Sequence, residues 1–332
     1  MVSLIQRYHF ITLLLTGLTF LVVMVGAYTR LSDAGLGCPD WPGCYGSLIV
    51  PEEITGQNAY AHIPLEKDKA WIEMIHRYIA GILGFALFTL TLMSLCHKPV
   101  IENIRGLLAF TSLLIIFQAA LGMWTVTWLL HPTIVMLHLL GGMATLSLVW
   151  LANLRIRAAA EFKRPYHKPS RGIKMGAVIG LIMVIIQIAL GGWLSTNYAA
   201  FACPDFPTCQ NTWWPPLYLE AFNPFIPLDR NFSGGFLDHP LRVSIHFAHR
   251  LGALITTLYL LIFGAYCLTQ LYGRIRFVIF ILWLVLLVQV LLGIINVVAL
   301  LPLWAAVLHN GVAALLLLVM VTLNYRLLQA RL

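Results

Sequence analysis

Charged residues are scarce in this sequence. Only 10% of its 332 residues are Asp, Glu, Lys or Arg, whereas 60% are apolar. A water-soluble protein of this length could not shield so much apolar surface from solvent. The scarcity of charge therefore excludes an ordinary soluble protein and indicates a polytopic membrane protein.

The apolar residues are gathered in runs long enough to cross the ~30 Å of hydrocarbon in a bilayer. The runs lack the regular alternation of polar and apolar residues that a membrane β-barrel requires. We therefore predict an all-α fold, because helices satisfy their own backbone hydrogen bonds in lipid. Eight transmembrane helices are predicted, at about 8–29, 70–95, 104–128, 133–154, 173–195, 243–268, 275–298 and 302–325.

The few charges are distributed asymmetrically between the predicted loops. With both termini in the cytoplasm, fourteen Lys and Arg residues lie inside and five outside, whereas two acidic residues lie inside and ten outside. Cytoplasmic loops are enriched in Lys and Arg, so we expect this orientation. The net charge of +8 then reports topology, and no nucleic-acid partner is expected. No transit peptide is recognisable, which favours a bacterial inner membrane.

The sequence contains an internal repeat. CPDWPGC (38–44) returns as CPDFPTC (203–209), and QAALGMW (118–124) returns as QVLLGII (289–295). Ordered matches at a nearly constant offset are the signature of a duplicated unit.

Each half contains four predicted spans, and an even number of spans gives both halves the same orientation. We therefore predict parallel repeats, related by an axis along the membrane normal, each forming a four-helix bundle. The N-terminal repeat would cover residues 1–154 and the C-terminal repeat 175–332, joined by a basic cytoplasmic linker at 155–174.

Four of the eleven histidines lie inside spans at repeat-related positions. They are His76 and His138 in the first half, and His249 and His309 in the second. Within each half the two lie at similar depth, because each is one or two turns from the outer end of its helix. Two imidazoles at one level are the arrangement by which a helix bundle holds a heme iron from both sides. The alternative is that each histidine only hydrogen-bonds a neighbouring helix. Zinc or copper is less favoured, because no thiolate lies nearby in the spans.

Arginines directly follow the histidines of the second and sixth spans, at Arg77 and Arg250. They could extend to the outer membrane interface, or pair with heme propionates, since a guanidinium offers paired donors to a carboxylate. Both interpretations stay open.

The two copies differ at one position of interest. Glu73 stands where the second copy has His246, and each lies one helical turn before the shared histidine. A carboxylate beside a heme can move protons or stabilise a developing cation. The alternative is an ion pair with Arg77. The difference suggests that one half performs chemistry while the other holds a cofactor.

The cysteine pairs fall in outer loops, where the oxidising environment permits disulfides. The disulfide candidates are Cys38, Cys44, Cys203 and Cys209. A structural disulfide within each loop is favoured over a redox-active pair, while pairing between the loops stays open. Cys96 and Cys267 lie near cytoplasmic helix ends and are interpreted as packing residues.

These features together resemble the heme A synthases of respiratory membranes. The resemblance covers essentially the whole chain, and rests on EMIHR (73–77), HFAHRLGA (246–253), His138, His309 and the cysteine loops within the duplicated plan. It implies an oxidoreductase that converts the C8 methyl of heme O to a formyl group by successive hydroxylations. The product, heme A, would serve cytochrome oxidase biogenesis.

The resemblance also implies roles for individual residues. Heme O, the substrate, would bind in the N-terminal half near His76, His138 and Arg77, with Glu73 catalytic. Heme b, the cofactor, would be held in the C-terminal half, by His249 and His309 with Arg250 nearby. Expected partners are a heme O synthase, cytochrome oxidase assembly factors, a quinol or ferredoxin-like electron donor, and a second copy of the chain.

Two other functions remain open at this stage. A diheme b-type cytochrome passing electrons from quinol would share the four histidines, but would give Glu73 no reason to differ from His246. A heme chaperone or exporter would bind its ligand transiently. Only a synthase would produce heme A from heme O.

Overall fold

The computed structural model describes residues 2–54, 58–96, 98–160 and 169–329. Within these ranges the chain forms eight long helices and one short 3-10 helix, with no β-strand. All eight long helices are long and apolar enough to cross a membrane. The prediction of an all-α polytopic membrane protein is confirmed.

The eight helices contain the predicted spans to within one residue at either end. They are α1 (Val2–Leu31), α2 (Lys67–Cys96), α3 (Lys98–Thr127), α4 (Pro132–Ala160), α5 (Arg171–Thr196), α6 (His239–Gln270), α7 (Arg274–Val298) and α8 (Leu303–Gln329). The helices are longer than the spans because hydrocarbon requires only about 20 residues, and local signals extend the helices beyond it. Ser170, for example, caps α5 by accepting a hydrogen bond from the Ile173 amide at 3.3 Å.

The predicted linker overlaps both neighbouring helices. Helix α4 continues to Ala160 and α5 begins at Arg171. Residues 161–168 of the linker lie outside the described residues.

The helices of each half contact one another in a closed order. In the first half α1 and α3 each contact α2 and α4, and in the second half α5 and α7 each contact α6 and α8. The halves meet through α1, α4, α5 and α8. The relation of the two halves as parallel repeats stays a prediction.

Each cysteine pair forms a disulfide within its own outer loop. Cys38 is bonded to Cys44, and Cys203 to Cys209. One disulfide per loop is confirmed, and pairing between the loops does not occur. Cys267 is buried, as expected of a packing residue. Cys96 is exposed at the end of α2, so its interpretation as a packing residue was wrong.

In each disulfide loop, the side chain of an aspartate within the loop accepts hydrogen bonds from the loop's own backbone. Asp205 accepts hydrogen bonds from the amides of Gln210 at 2.8 Å and Asn211 at 3.0 Å, and from the Thr208 hydroxyl. Burial raises the pKa of Asp205, but these hydrogen bonds outweigh burial and hold its pKa below the ordinary value. Asp40 does the same in the first loop, where it accepts hydrogen bonds from the amides of Tyr45 at 2.6 Å and Gly46 at 2.8 Å. The loops are therefore pre-formed caps at the outer ends of the helices.

Candidate functional site

One large cavity lies among the helices and is lined by residues from both halves. Its volume is about 1970 Å³, roughly twice the ~1,000 Å³ upper range for a pocket that holds one small molecule. All four predicted histidines and Glu73 line it. The cavity is therefore large enough for more than one bulky ligand.

His76 from α2 and His138 from α4 face one another in the first half. Their ring centroids are 6.5 Å apart and their planes are nearly perpendicular, at 88°. With metal–nitrogen bonds of about 2 Å, two imidazoles on opposite sides of one metal ion have ring centres roughly 6 Å apart. Both Nδ1 atoms are buried and have no hydrogen-bond partner among the described residues. The spacing would therefore let His76 and His138 hold one heme iron between them.

The second histidine pair lines the same cavity, and is held by glutamines. The Gln187 amide Nε2–H donates to His249 Nδ1 at 3.0 Å, and the Gln289 amide Nε2–H donates to His309 Nε2 at 3.2 Å. These contacts hold the two rings in place. Because a ligating histidine donates its second ring N–H to an acceptor, a heme-bound ring would be held by the amide oxygen of each glutamine, which is buried and has no partner among the described residues.

The first half has no such support in the described residues. Val22 stands where the repeat offset would place a counterpart of Gln187, and the Nε2 of Gln118, the counterpart of Gln289, has no hydrogen-bond partner there. The two halves therefore differ in the glutamine side-chain contacts of their histidines, while the Gln118 and Gln289 backbones contact His138 and His309 alike.

Glu73 is only 4% exposed and makes two strong contacts. One carboxylate oxygen forms an ion pair with Arg77, and the other accepts a hydrogen bond from the Cys38 amide at 2.9 Å. The ion pair considered as the alternative role of Glu73 is therefore present. Because Glu73 also lines the cavity, the ion pair and a role beside a ligand are compatible.

His246 occupies the equivalent position in the second half and binds differently. It is buried, and its Nδ1–H donates to the Ala199 carbonyl at 3.0 Å. The second half thus has a neutral donor where the first half has a carboxylate.

The two arginines bind the disulfide loops, a role that the sequence did not reveal. Their guanidinium groups donate to backbone carbonyls of their own half's loop: Arg77 to Asp40, Pro42 and Gly43, and Arg250 to Cys203, Asp205 and Thr208. Both arginines also border the cavity. They hold each loop against the outer end of its helix, above the histidines. Their pairing with heme propionates stays a prediction.

A further cation at the junction of the halves was missed in the sequence. Arg30, near the end of α1, donates to the Ser195 carbonyl at 2.7 Å and lies 4.2 Å from the ring centroid of Tyr198. All three residues line the cavity. Arg30 therefore links the first half to the second at the outer side.

The described part of the chain does not favour a site in which protein side chains alone bind a metal ion. No group of three or more His, Cys, Asp or Glu side chains there could hold a metal ion. Paired imidazoles beside a large, mostly apolar cavity instead suit a macrocycle that supplies its own equatorial ligands.

Comparison with known proteins agrees with this geometry. A family model described as "Cytochrome oxidase assembly protein" matches residues 9–321. A heme A synthase from Shewanella oneidensis is 48% identical over 92% of this chain and 92% of its own length. A heme A synthase from Beijerinckia indica is 30% identical over 90% of this chain and 87% of its own length.

A third relative is more distant. A heme A synthase from Shouchella clausii is 27% identical over 62% of this chain and 65% of its own length.

The family match covers both histidine pairs and both disulfide loops. The chain therefore belongs to the heme A synthase family of cytochrome oxidase assembly proteins.

Proposed function

We propose that this protein is a heme A synthase that oxidises heme O to heme A within the membrane. The observation that carries the proposal is the paired imidazoles of His76 and His138, 6.5 Å apart, in the cavity that Glu73 also lines. Membership of the family supports the reaction.

The two histidine pairs would have different tasks. His249 and His309 would hold a resident heme b, which when bound supplies a redox centre for electron transfer. His76 and His138 would hold the heme O substrate. The glutamines support this assignment, because outer-shell hydrogen bonds typically change metal affinity 10–100-fold. A cofactor must be retained and benefits from them, whereas a substrate site must release its product.

The reaction would proceed by two successive hydroxylations of the heme O methyl group. The resulting geminal diol loses water and leaves a formyl group. Glu73 would stabilise positive charge that develops at the methyl carbon, or assist proton movement during the reaction. With dioxygen as the oxidant, each hydroxylation would insert one oxygen atom into a C–H bond, and two electrons from a quinol or ferredoxin-like donor, with two protons, would reduce the other oxygen atom to water.

The lining of the cavity supports entry of an apolar substrate from the lipid. Ile82, Phe85 and Phe88 on α2 line the cavity and are also 60%, 75% and 49% exposed, respectively. Ile116 on α3 also lines the cavity, and 61% of this residue is exposed. Side chains that line a cavity and face outward mark an opening between helices. The farnesyl tail of heme O would pass there.

The remaining features of the proposal concern topology and partners. We propose two parallel four-helix repeats in a bacterial inner membrane, with both termini in the cytoplasm. A heme O synthase would deliver the substrate, and assembly factors of cytochrome oxidase would receive the product. A homo-oligomer is part of the same proposal.

Pigment analysis after co-expression with a heme O synthase tests the proposed function. Hemes extracted from membranes are separated by chromatography with mass detection, and membranes without this protein serve as the control. We expect heme A or its hydroxylated precursor only when this protein is present. Heme B with unchanged heme O, from folded protein supplied with a reductant, would instead favour a diheme b-type cytochrome.

A further inference from the structure

Each of the four cavity histidines packs against a glycine on the preceding helix. The pairs are Gly26 with His76, Gly122 with His138, Gly191 with His249, and Gly293 with His309. We call these four residues the contact glycines. Each odd-numbered helix thus supplies one glycine to a histidine on the next helix.

The contact has the same form in all four pairs. A Cβ built on the glycine would have the imidazole Cε1 as its nearest neighbour, at 2.8 Å for Gly26, 3.1 Å for Gly191, 3.2 Å for Gly293 and 3.4 Å for Gly122. Cε1 is the ring carbon between the two nitrogens. A methyl group therefore does not fit at Gly26, is tight at Gly191 and Gly293, and just fits at Gly122.

Other glycines of these helices make different contacts. A Cβ on Gly192 would meet Leu139, and one on Gly180 would meet Met320, Leu260 and Tyr259. Those glycines serve ordinary close packing of helices. Recurrence of one ring atom against the contact glycines is not explained by close packing alone.

The sequence around the contact glycines supports a shared role. Three of them end the pattern Q-x-x-L-G, at 118–122, 187–191 and 289–293. The glutamine and glycine are one turn apart and lie on the same helix face. In the second half that glutamine hydrogen-bonds the histidine that the glycine contacts. Glycine is a poor helix former, and each of these glycines lies where a larger residue would contact the imidazole ring.

We propose that the contact glycines are positioning residues that set how far each imidazole reaches into the cavity. The inference rests on the proposed function, because its consequence is heme ligation. Without a Cβ, the glycine lets the ring lie against the backbone of the preceding helix. A methyl group pushes Cε1, and with it both ring nitrogens, toward the cavity. Ligand geometry must be held within about 0.5 Å for full function, so a small push weakens ligation.

Alanine substitutions in the second half give the main test. Purified Gly191→Ala and Gly293→Ala proteins are compared with the wild type for b-type heme per chain, and for heme retained after incubation with apomyoglobin. We expect about 10-fold weaker heme retention, the lower end of the effect of supporting residues. The low-spin electron paramagnetic resonance signal of the remaining heme should also shift, which a loss of folded protein alone would not cause.

Matched controls come from glycines with open space around them. Gly17 on α1 and Gly106 on α3 have nothing within 4 Å of a built Cβ, and neither lines the cavity. Their alanine variants should match the wild type in heme content and spectrum. Size-exclusion chromatography of every variant separates altered ligation from failure to fold.

The first half supplies a graded comparison that survives misfolding of any one variant. Gly26→Ala should weaken heme O binding at least about 10-fold, whereas Gly122→Ala should bind nearly as the wild type does. The reason is that a Cβ would lie 2.8 Å from the imidazole Cε1 at Gly26 but 3.4 Å from it at Gly122. Equal heme content and identical spectra for the Gly26→Ala, Gly191→Ala, Gly293→Ala and control variants would overturn the positioning role alone. A wild-type protein that binds neither b-type heme nor heme O would overturn the proposed function and this inference with it.

Discussion

Replacement of Glu73 separates its contribution to chemistry from its contribution to structure. Glu73→Gln retains a carbonyl oxygen that can accept from the Cys38 amide, but removes the negative charge. Glu73→Ala removes both. Neither variant carries the carboxylate, so both should be equally impaired in chemistry. They differ in whether the hydrogen bond from the Cys38 amide is kept.

The structure gives the expected size of the effect on stability. The Glu73–Arg77 pair is 6% and 12% exposed at its two side chains, and breaking a buried pair from one side costs about 3–5 kcal/mol. Arg77 keeps its three carbonyl acceptors in the disulfide loop, which places the cost near the lower end. For Glu73→Ala we expect a loss of about 3 kcal/mol, or roughly 4 °C in melting temperature for a chain of this size. For Glu73→Gln we expect about half of that loss.

The assay measures heme A yield, b-type heme and melting temperature in the same preparations. If Glu73 acts in the chemistry, both variants should lose nearly all heme A formation while b-type heme stays in place. A Glu73→Gln protein that makes heme A at the wild-type rate would refute the catalytic role. Glu73 would then be only the residue that ties the Cys38 loop to α2.

Three further predictions follow from particular contacts. Gln187→Val should release b-type heme about 10-fold more readily, whereas Val22→Gln should slow release of heme from the first half. Transfer of heme to apomyoglobin measures both rates. Equal rates in the wild type and both variants would contradict the role of the glutamines. Arg250→Ala should free the second disulfide loop, so that a phosphine reduces its disulfide faster, while Arg250→Lys should show a smaller increase; unchanged reduction in both would contradict the loop contact. Because the pKa of Asp205 is lowered in the folded loop, its stabilisation is present at neutral pH and is lost as the pH falls below its ordinary value of about 4. Phosphine reduction of the second loop should therefore accelerate below pH ~4 in the wild type, and Asp205→Asn should remove that pH dependence; a variant with the wild-type profile would contradict it.

The helices were predictable because each follows from one continuous run of apolar residues in the sequence. Hydrocarbon thickness sets a minimum run of apolar residues, and every predicted span falls in an observed helix to within one residue. The histidines were found because a titratable side chain inside a span stands out against its apolar neighbours. The disulfides followed from the repeated C-x5-C loops.

The partners of those residues were not predictable, because they depend on packing between distant segments. Arg77 donates to carbonyls 34–37 residues earlier in the chain, and backbone acceptors leave no mark in the sequence. Gln187 and Gly191 lie about 60 residues from His249 in the sequence, and only the packing of α5 against α6 brings them together. The repeated Q-x-x-L-G pattern was a signal, but its meaning needed the structure.

The division of labour between the two halves is the central claim, and one paired measurement tests it directly. His76→Ala and His249→Ala are each co-expressed with a heme O synthase, and heme O, heme A and b-type heme are quantified from the same purified proteins. We predict that His76→Ala keeps b-type heme but makes no heme A, while His249→Ala loses b-type heme. The reverse result, with b-type heme lost from His76→Ala and retained in His249→Ala, would contradict the assignment of substrate and cofactor to the two halves.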